Sequence, residues 1–63
     1  MNFKENLKKL RKLKGFSQEK LAEMVNLTIF TIQSYEQGKS KPNIDQLERI
    51  KITLNCSWED LLD

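Results

Sequence analysis

The sequence lacks histidine altogether and contains a single cysteine, Cys56. A lone cysteine forms no internal disulfide, and without histidine the usual zinc ligand sets are out of reach. No apolar run approaches the roughly 20 residues that a membrane-spanning helix needs, and the N-terminus lacks the basic start and apolar block of a signal peptide. We therefore expect a cytoplasmic chain that crosses no membrane and holds neither a metal nor a cofactor.

Length and charge narrow the possibilities further. The 63 residues, 38% hydrophobic and 32% charged, suit one small folded domain over residues 1–63 and exclude a second. The net charge is only +2, but six of the basic side chains lie within residues 1–14. Such a basic segment favours binding to nucleic acid or to an anionic surface, although a lysine-rich helix face can also serve solubility alone.

The pattern of apolar and capping residues predicts five helices and no strand. A stripe of apolar side chains marks a first helix that ends near Gly15, namely Phe3, Leu7, Leu10 and Leu13. Four further helices each begin with a capping residue preceded by an apolar one, at Ser17, Thr28, Asn43 and Ser57. Gly38 is placed to end the third helix in a left-handed conformation. The fourth helix has its own predicted apolar stripe, namely Ile44, Leu47, Ile50 and Leu54.

Helices two and three are joined by only Asn26 and Leu27 before the Thr28 cap. So short a connection makes the two helices meet at a steep angle, which is the geometry of a helix-turn-helix. Ala22 supplies a small side chain where the helices would cross. An ordinary helical hairpin is the alternative, since short connections between helices are common.

Several segments together resemble a known family. They are Ser17-Gln18-Glu19-Lys20-Leu21-Ala22, Leu27-Thr28, Ile32, Tyr35-Glu36-Gln37-Gly38, Pro42, Leu54-Asn55-Cys56-Ser57 and Leu61-Leu62. Their spacing resembles the Cro and phage-repressor type of helix-turn-helix domain, also called the Xre family. The resemblance implies an all-α, five-helix, repressor-like DNA-binding domain whose third helix, about residues 29–37, enters the major groove. Asn26 stands where the family usually has glycine, and asparagine also accepts a left-handed conformation.

The third helix carries the candidate base-reading residues. If Ile32 packs inward, the outward face consists of Ile29, Phe30, Gln33, Ser34 and Gln37, preceded by Thr28. Glutamine amides can bond adenine, and apolar side chains can contact the thymine methyl group, so this face favours half-sites that contain A·T pairs. Ile29 and Phe30 stand where the family generally presents polar base-readers. They could instead bind a protein or cover the edge of the core.

Other residues are candidates for binding the DNA backbone, for stabilising the fold and for forming a dimer interface. Contacts to the DNA backbone are expected from Ser17, Gln18, Lys39, Lys41 and Asn43. The resemblance implies a structural ion pair between Arg11 and Glu36. Ile52 and Trp58 are large apolar residues with no evident core role, and we expect them in a homodimer interface.

The leading hypothesis is therefore a sequence-specific, repressor-like transcriptional regulator that binds double-stranded DNA at a two-fold operator as a homodimer. The alternative is an antitoxin or anti-regulator whose main contact is a protein partner. An enzyme is not expected, because the chain offers no Gly-rich phosphate loop and no nucleophile beside a base.

Overall fold

A computed structural model describes residues 2–63, and these residues form five helices. The helices are α1 (Phe3–Leu13), α2 (Gln18–Met24), α3 (Ile29–Gln37), α4 (Ile44–Leu54) and α5 (Trp58–Leu62). There is no strand within 2–63, so the predicted all-α fold with five helices is confirmed. None of the five helices is long and apolar enough to span a bilayer.

The predicted capping residues begin their helices as expected. Each accepts a hydrogen bond from a backbone N–H three residues later, at Ser17, Thr28, Asn43 and Ser57. Gly38 ends α3 with φ of 76°, and Asn26 takes φ of 60° in the turn between α2 and α3. Local sequence signals therefore fix where the helices begin and how the turn is made.

The core draws on all five helices. Its buried apolar residues are Phe3, Leu7, Leu21, Ala22, Val25, Ile32, Tyr35, Ile50, Leu54 and Leu61. Between α1 and α3, the ring of Phe3 meets that of Tyr35 edge-on, with centroids 6.2 Å apart. Burying each large side chain contributes about 1.5–3 kcal/mol, so this shared core holds α3 firmly against the other helices.

Two residues expected in the buried stripes lie at the surface instead. Leu13 is 72% exposed and Ile44 is 74% exposed, so those two predictions were wrong. At 100° per residue, Leu13 lies about 120° around α1 from Leu7, whereas Arg11 lies only about 40° from it. Arg11 is therefore buried beside Leu7, while Leu13 is turned away from the core. Likewise Ile44 opens α4 about 120° from the buried Ile50.

Candidate nucleic-acid interface

One side of α3 faces outward, because Ile32 and Tyr35 pack into the core on the other side. On the outward side Phe30 is 75% exposed, Gln37 is exposed, and Gln33 is half-buried. Within residues 2–63 the side-chain amides of Gln33 and Gln37 form no hydrogen bond, whereas those of Gln18 and Gln46 do. The donors and acceptors of Gln33 and Gln37 are thus available to a ligand.

The two hydroxyls predicted to read bases already have partners. Thr28 Oγ1 accepts from the backbone N–H of Thr31 at 3.2 Å. Ser34 Oγ lies 2.8 Å from Ser40 Oγ and ties the loop after α3 back to that helix. Thr28 Oγ1 also lies 2.9 Å from Thr31 Oγ1. A hydroxyl has one donor and two acceptor lone pairs, so both side chains remain candidates for base contacts while they also shape α3 and its loop.

A buried ion pair fixes α3 to α1. Arg11 Nε donates to Glu36 Oε2 at 2.6 Å, and Arg11 Nη2 donates to Glu36 Oε1 at 3.1 Å. Arg11 Nη1 also donates to the carbonyl of Phe16 at 2.8 Å. The two charged side chains are only 9% and 3% exposed. This forked arrangement is directional, and it holds the last turn of α3 in one orientation on the scaffold.

Gln18 joins the same network. Its Nε2 donates to Glu36 Oε1 at 3.0 Å, so the donor predicted for a phosphate is directed toward the ion pair. The preceding residue, Ser17, caps α2: its Oγ accepts from the backbone N–H of Lys20 at 2.9 Å. The sequence alone did not indicate that Gln18 links α2 to α3.

The loop after α3 carries the two predicted backbone-binding lysines. Lys39 and Lys41 are both exposed, and the ion pairs found within residues 2–63 are Arg11–Glu36 and Lys20–Glu23. Neither loop lysine is therefore neutralised by a carboxylate in that part of the chain. Asn43 is exposed as well, with Oδ1 capping α4 through the N–H of Gln46 at 2.9 Å, which leaves its amide N–H₂ available.

Two contacts that position this surface were not predicted from the sequence. Tyr35 donates its hydroxyl to Gln46 Oε1 at 2.8 Å and so joins α3 to the start of α4. Burial raises the pKa of the Tyr35 hydroxyl above its ordinary value. Arg49 Nη1 donates to the carbonyl of Val25 at 3.1 Å, at the end of α2. These contacts join residues far apart in sequence, and no local pattern indicates them.

The residues predicted for a dimer interface are exposed. Ile52 is 69% exposed and Trp58 is 41% exposed. Lys51 is half-buried, and its Nζ lies 5.4 Å from the centre of the Trp58 ring. That distance is typical of a cation–π interaction, which orients the indole ring while leaving much of it open to solvent.

The fold and this surface agree with a comparison to known families. The helix-turn-helix family model of the Cro/C1 type matches residues 7–61. The chain belongs to the Cro/C1-type helix-turn-helix family. The match includes α2, the turn and α3, together with most of the scaffold that holds them. The resemblance inferred from the motif residues is thereby confirmed.

Three curated relatives carry consistent names. The chain is 37% identical over 60 residues to YonR, an SPbeta prophage-derived HTH-type transcriptional regulator of Bacillus subtilis, covering 95% of this chain and 56% of the relative. It is 37% identical over 60 residues to the HTH-type transcriptional regulator YqaE of the same organism, covering 95% and 52%. It is 36% identical over 62 residues to the HTH-type transcriptional activator BcrR of Enterococcus faecalis, covering 98% and 30%. The chain thus spans about half or less of the length of these relatives.

Proposed function

We propose that this chain is a sequence-specific DNA-binding domain of a transcriptional regulator, acting in the cytoplasm, with α3 in the major groove of a two-fold operator. The observation that carries the proposal is the outward face of α3, where the amides of Gln33 and Gln37 bond no other group within residues 2–63. The Arg11–Glu36 pair holds that helix on the scaffold. Family membership and the regulator names of the relatives support the same conclusion.

Base recognition is assigned to side chains of two chemistries. Gln33 and Gln37 each present the amide that pairs with adenine N6 and N7. Ile29 and Phe30 offer apolar contacts for thymine methyl groups, and Phe30 is the most exposed large apolar side chain on α3. Thr28 and Ser34 lie beside these residues and assist through hydroxyls whose first bonds are internal. The favoured half-site therefore contains A·T pairs.

Affinity is assigned to contacts with the phosphates. Lys39, Lys41 and Asn43 approach the DNA backbone from the loop after α3, and Ser17 and Gln18 approach it from the start of α2. Such contacts give affinity that is independent of sequence and sensitive to salt. The hydrogen bond between Ser34 and Ser40 helps to hold the phosphate contacts in register with the base-reading face.

A homodimer completes the proposal. Two recognition helices separated by one turn of DNA, about 34–36 Å, read twice as many base pairs as one. Ile52 and Trp58 provide exposed apolar surface on α4 and α5, and in a two-fold interface each would meet its symmetry mate.

Selection of binding sites from a random DNA pool tests the function directly. We expect the folded chain to enrich a two-fold site with A·T pairs in each half, and a Gln33→Ala/Gln37→Ala variant to lose that enrichment while keeping its helical circular dichroism. If the folded parent enriches no sequence, the DNA-binding proposal is refuted.

The exposed Phe30 also motivates the second candidate, an antitoxin or anti-regulator whose apolar face docks on a protein. Replacing the thymine that Phe30 would contact by uracil distinguishes DNA recognition by Phe30 from docking on a protein. We expect weaker DNA binding by the parent but not by Phe30→Ser, because uracil lacks the methyl group. An equal response of both proteins would remove Phe30 from DNA recognition and favour the protein-docking reading.

A further inference from the structure

A cleft of about 190 Å³ opens where the start of α1 meets the end of α3. Since a water molecule takes up about 30 Å³ of liquid, the cleft has room for several waters or one phosphate group. Its lining includes two basic side chains, Lys4 and Lys41, together with Ser40 and Gly38. Within residues 2–63 neither lysine pairs with a carboxylate.

The fold holds Lys4 at this cleft. A Cβ added to Gly38 would come within 2.9 Å of Lys4 Cδ and 3.5 Å of Lys4 Nζ. The stem of Lys4 therefore lies directly against the bare backbone of Gly38, which also needs glycine for its φ of 76°. On the other side, the bond between Ser34 and Ser40 holds the loop that carries Lys41.

A purely structural role explains why one of these lysines lies at the cleft, but it does not explain why both do. An ammonium beside the end of a helix interacts favourably with the helix dipole, and this accounts for Lys4 next to Gly38, the residue that caps α3. Lys41 adds a second positive charge to the same cleft, where like charges repel each other. An anion between them would remove that repulsion, and Lys41 is already assigned to the DNA backbone.

We propose that Lys4 and Lys41 together bind one phosphodiester group of the DNA at this cleft. The inference rests on the proposed function, and it extends the phosphate contacts from the loop after α3 to the first turn of α1. The bound phosphate would be one flanking the bases read by α3, since the cleft lies at the end of that helix rather than on its outward face.

The salt dependence of operator binding tests the proposal. Lys4→Met keeps the apolar stem over Gly38 and removes the charge. Lys9→Met is the matched control, because Lys9 is exposed on the same helix, about 140° around from Lys4. Each phosphate contact contributes about 0.9 to the slope of log affinity against log salt, so a fourfold rise in salt weakens binding about 3.5-fold per contact. Because Lys41 still contacts the same phosphate, we expect Lys4→Met to lose part of one such factor per subunit, and Lys9→Met to lose none of it.

Neutral methylphosphonate linkages placed singly along the operator locate the contact. We expect one position flanking the half-site where the substitution weakens the parent and Lys4→Arg more than it weakens Lys4→Met, in which only Lys41 still contacts that phosphate. If Lys4→Met matches Lys9→Met while Lys41→Ala lowers the slope, the Lys4 site is refuted and the proposed function stands. If the folded parent binds no DNA, both proposals fail.

Discussion

Replacing Glu36 by leucine leaves the guanidinium of Arg11 charged in a site that solvent barely reaches. The two side chains are 9% and 3% exposed and share two hydrogen bonds. Removing one partner of a buried pair costs about 3–5 kcal/mol, because the remaining charge is desolvated without compensation. Arg11 keeps its bond to the Phe16 carbonyl, so we expect the lower end of that range for Glu36→Leu.

The opposite replacement, Arg11→Met, removes more contacts. Glu36 retains the bond from Gln18, but the Phe16 carbonyl loses its side-chain donor, which adds about 1–3 kcal/mol. At about 0.05–0.15 kcal/mol per residue, a chain of 63 residues has roughly 3–9 kcal/mol of total stability. Either single variant therefore approaches unfolding. A loss of 3 kcal/mol lowers the Tm by about 12–24 °C in a domain of this size.

A double-mutant cycle measured by urea denaturation with circular dichroism separates the pair from its surroundings. The double variant Arg11→Met/Glu36→Leu buries no unpaired charge, so we expect it to be more stable than Arg11→Met, with a coupling energy of about 2 kcal/mol or more. The exposed Lys20–Glu23 pair, at 3.9 Å, is the control, and its cycle should give less than about 0.5 kcal/mol. If the coupling of Arg11 and Glu36 is as small as that of the control, the pair does not hold α3 in place.

Three further predictions concern the DNA and the dimer. Lys39→Ala or Lys41→Ala should weaken binding to all DNA sequences alike and lower the salt slope by about one; an affinity that does not depend on salt would contradict these contacts. Gln33→Ala should cost about 1–3 kcal/mol on the best operator and little on random DNA, and equal losses on both would show that Gln33 reads no base. Ile52→Asp and Trp58→Ser should sediment as monomers under conditions where the parent is a dimer, and variants that remain folded and sediment like the parent would refute the proposed interface.

The sequence predicted the helices well because their signals are local. A capping side chain reaches a backbone N–H three residues away, so Ser17 and Asn43 marked helix starts without any knowledge of the fold. The buried residues of α1 and α4 were predicted less accurately. An apolar residue near the end of a helix can fit the helical periodicity and still lie outside the core. Leu13 and Ile44 are of this kind.

The candidate site was predictable only where a family pattern supplied long-range information. The contact between Arg11 and Glu36 joins residues 25 positions apart, and no spacing rule for a single helix indicates it. The bond from Gln18 to Glu36 and that from Arg49 to Val25 were missed for the same reason. Such contacts depend on how the helices pack together, which periodicity leaves open.

The hydrogen bond between Ser34 and Ser40 affects how much the spacing between the two operator half-sites can vary. Because it ties the loop that carries the lysines to α3, it opposes movement of a subunit's phosphate contacts relative to its base contacts. Inserting one base pair at the operator centre moves the half-sites apart by about 3.4 Å and rotates them by about 34°. In the proposed dimer that displacement has to be absorbed between subunits, so Ser40→Ala should tolerate the longer operator better than the parent does. An unchanged preference for spacing in a binding competition would place the flexibility elsewhere.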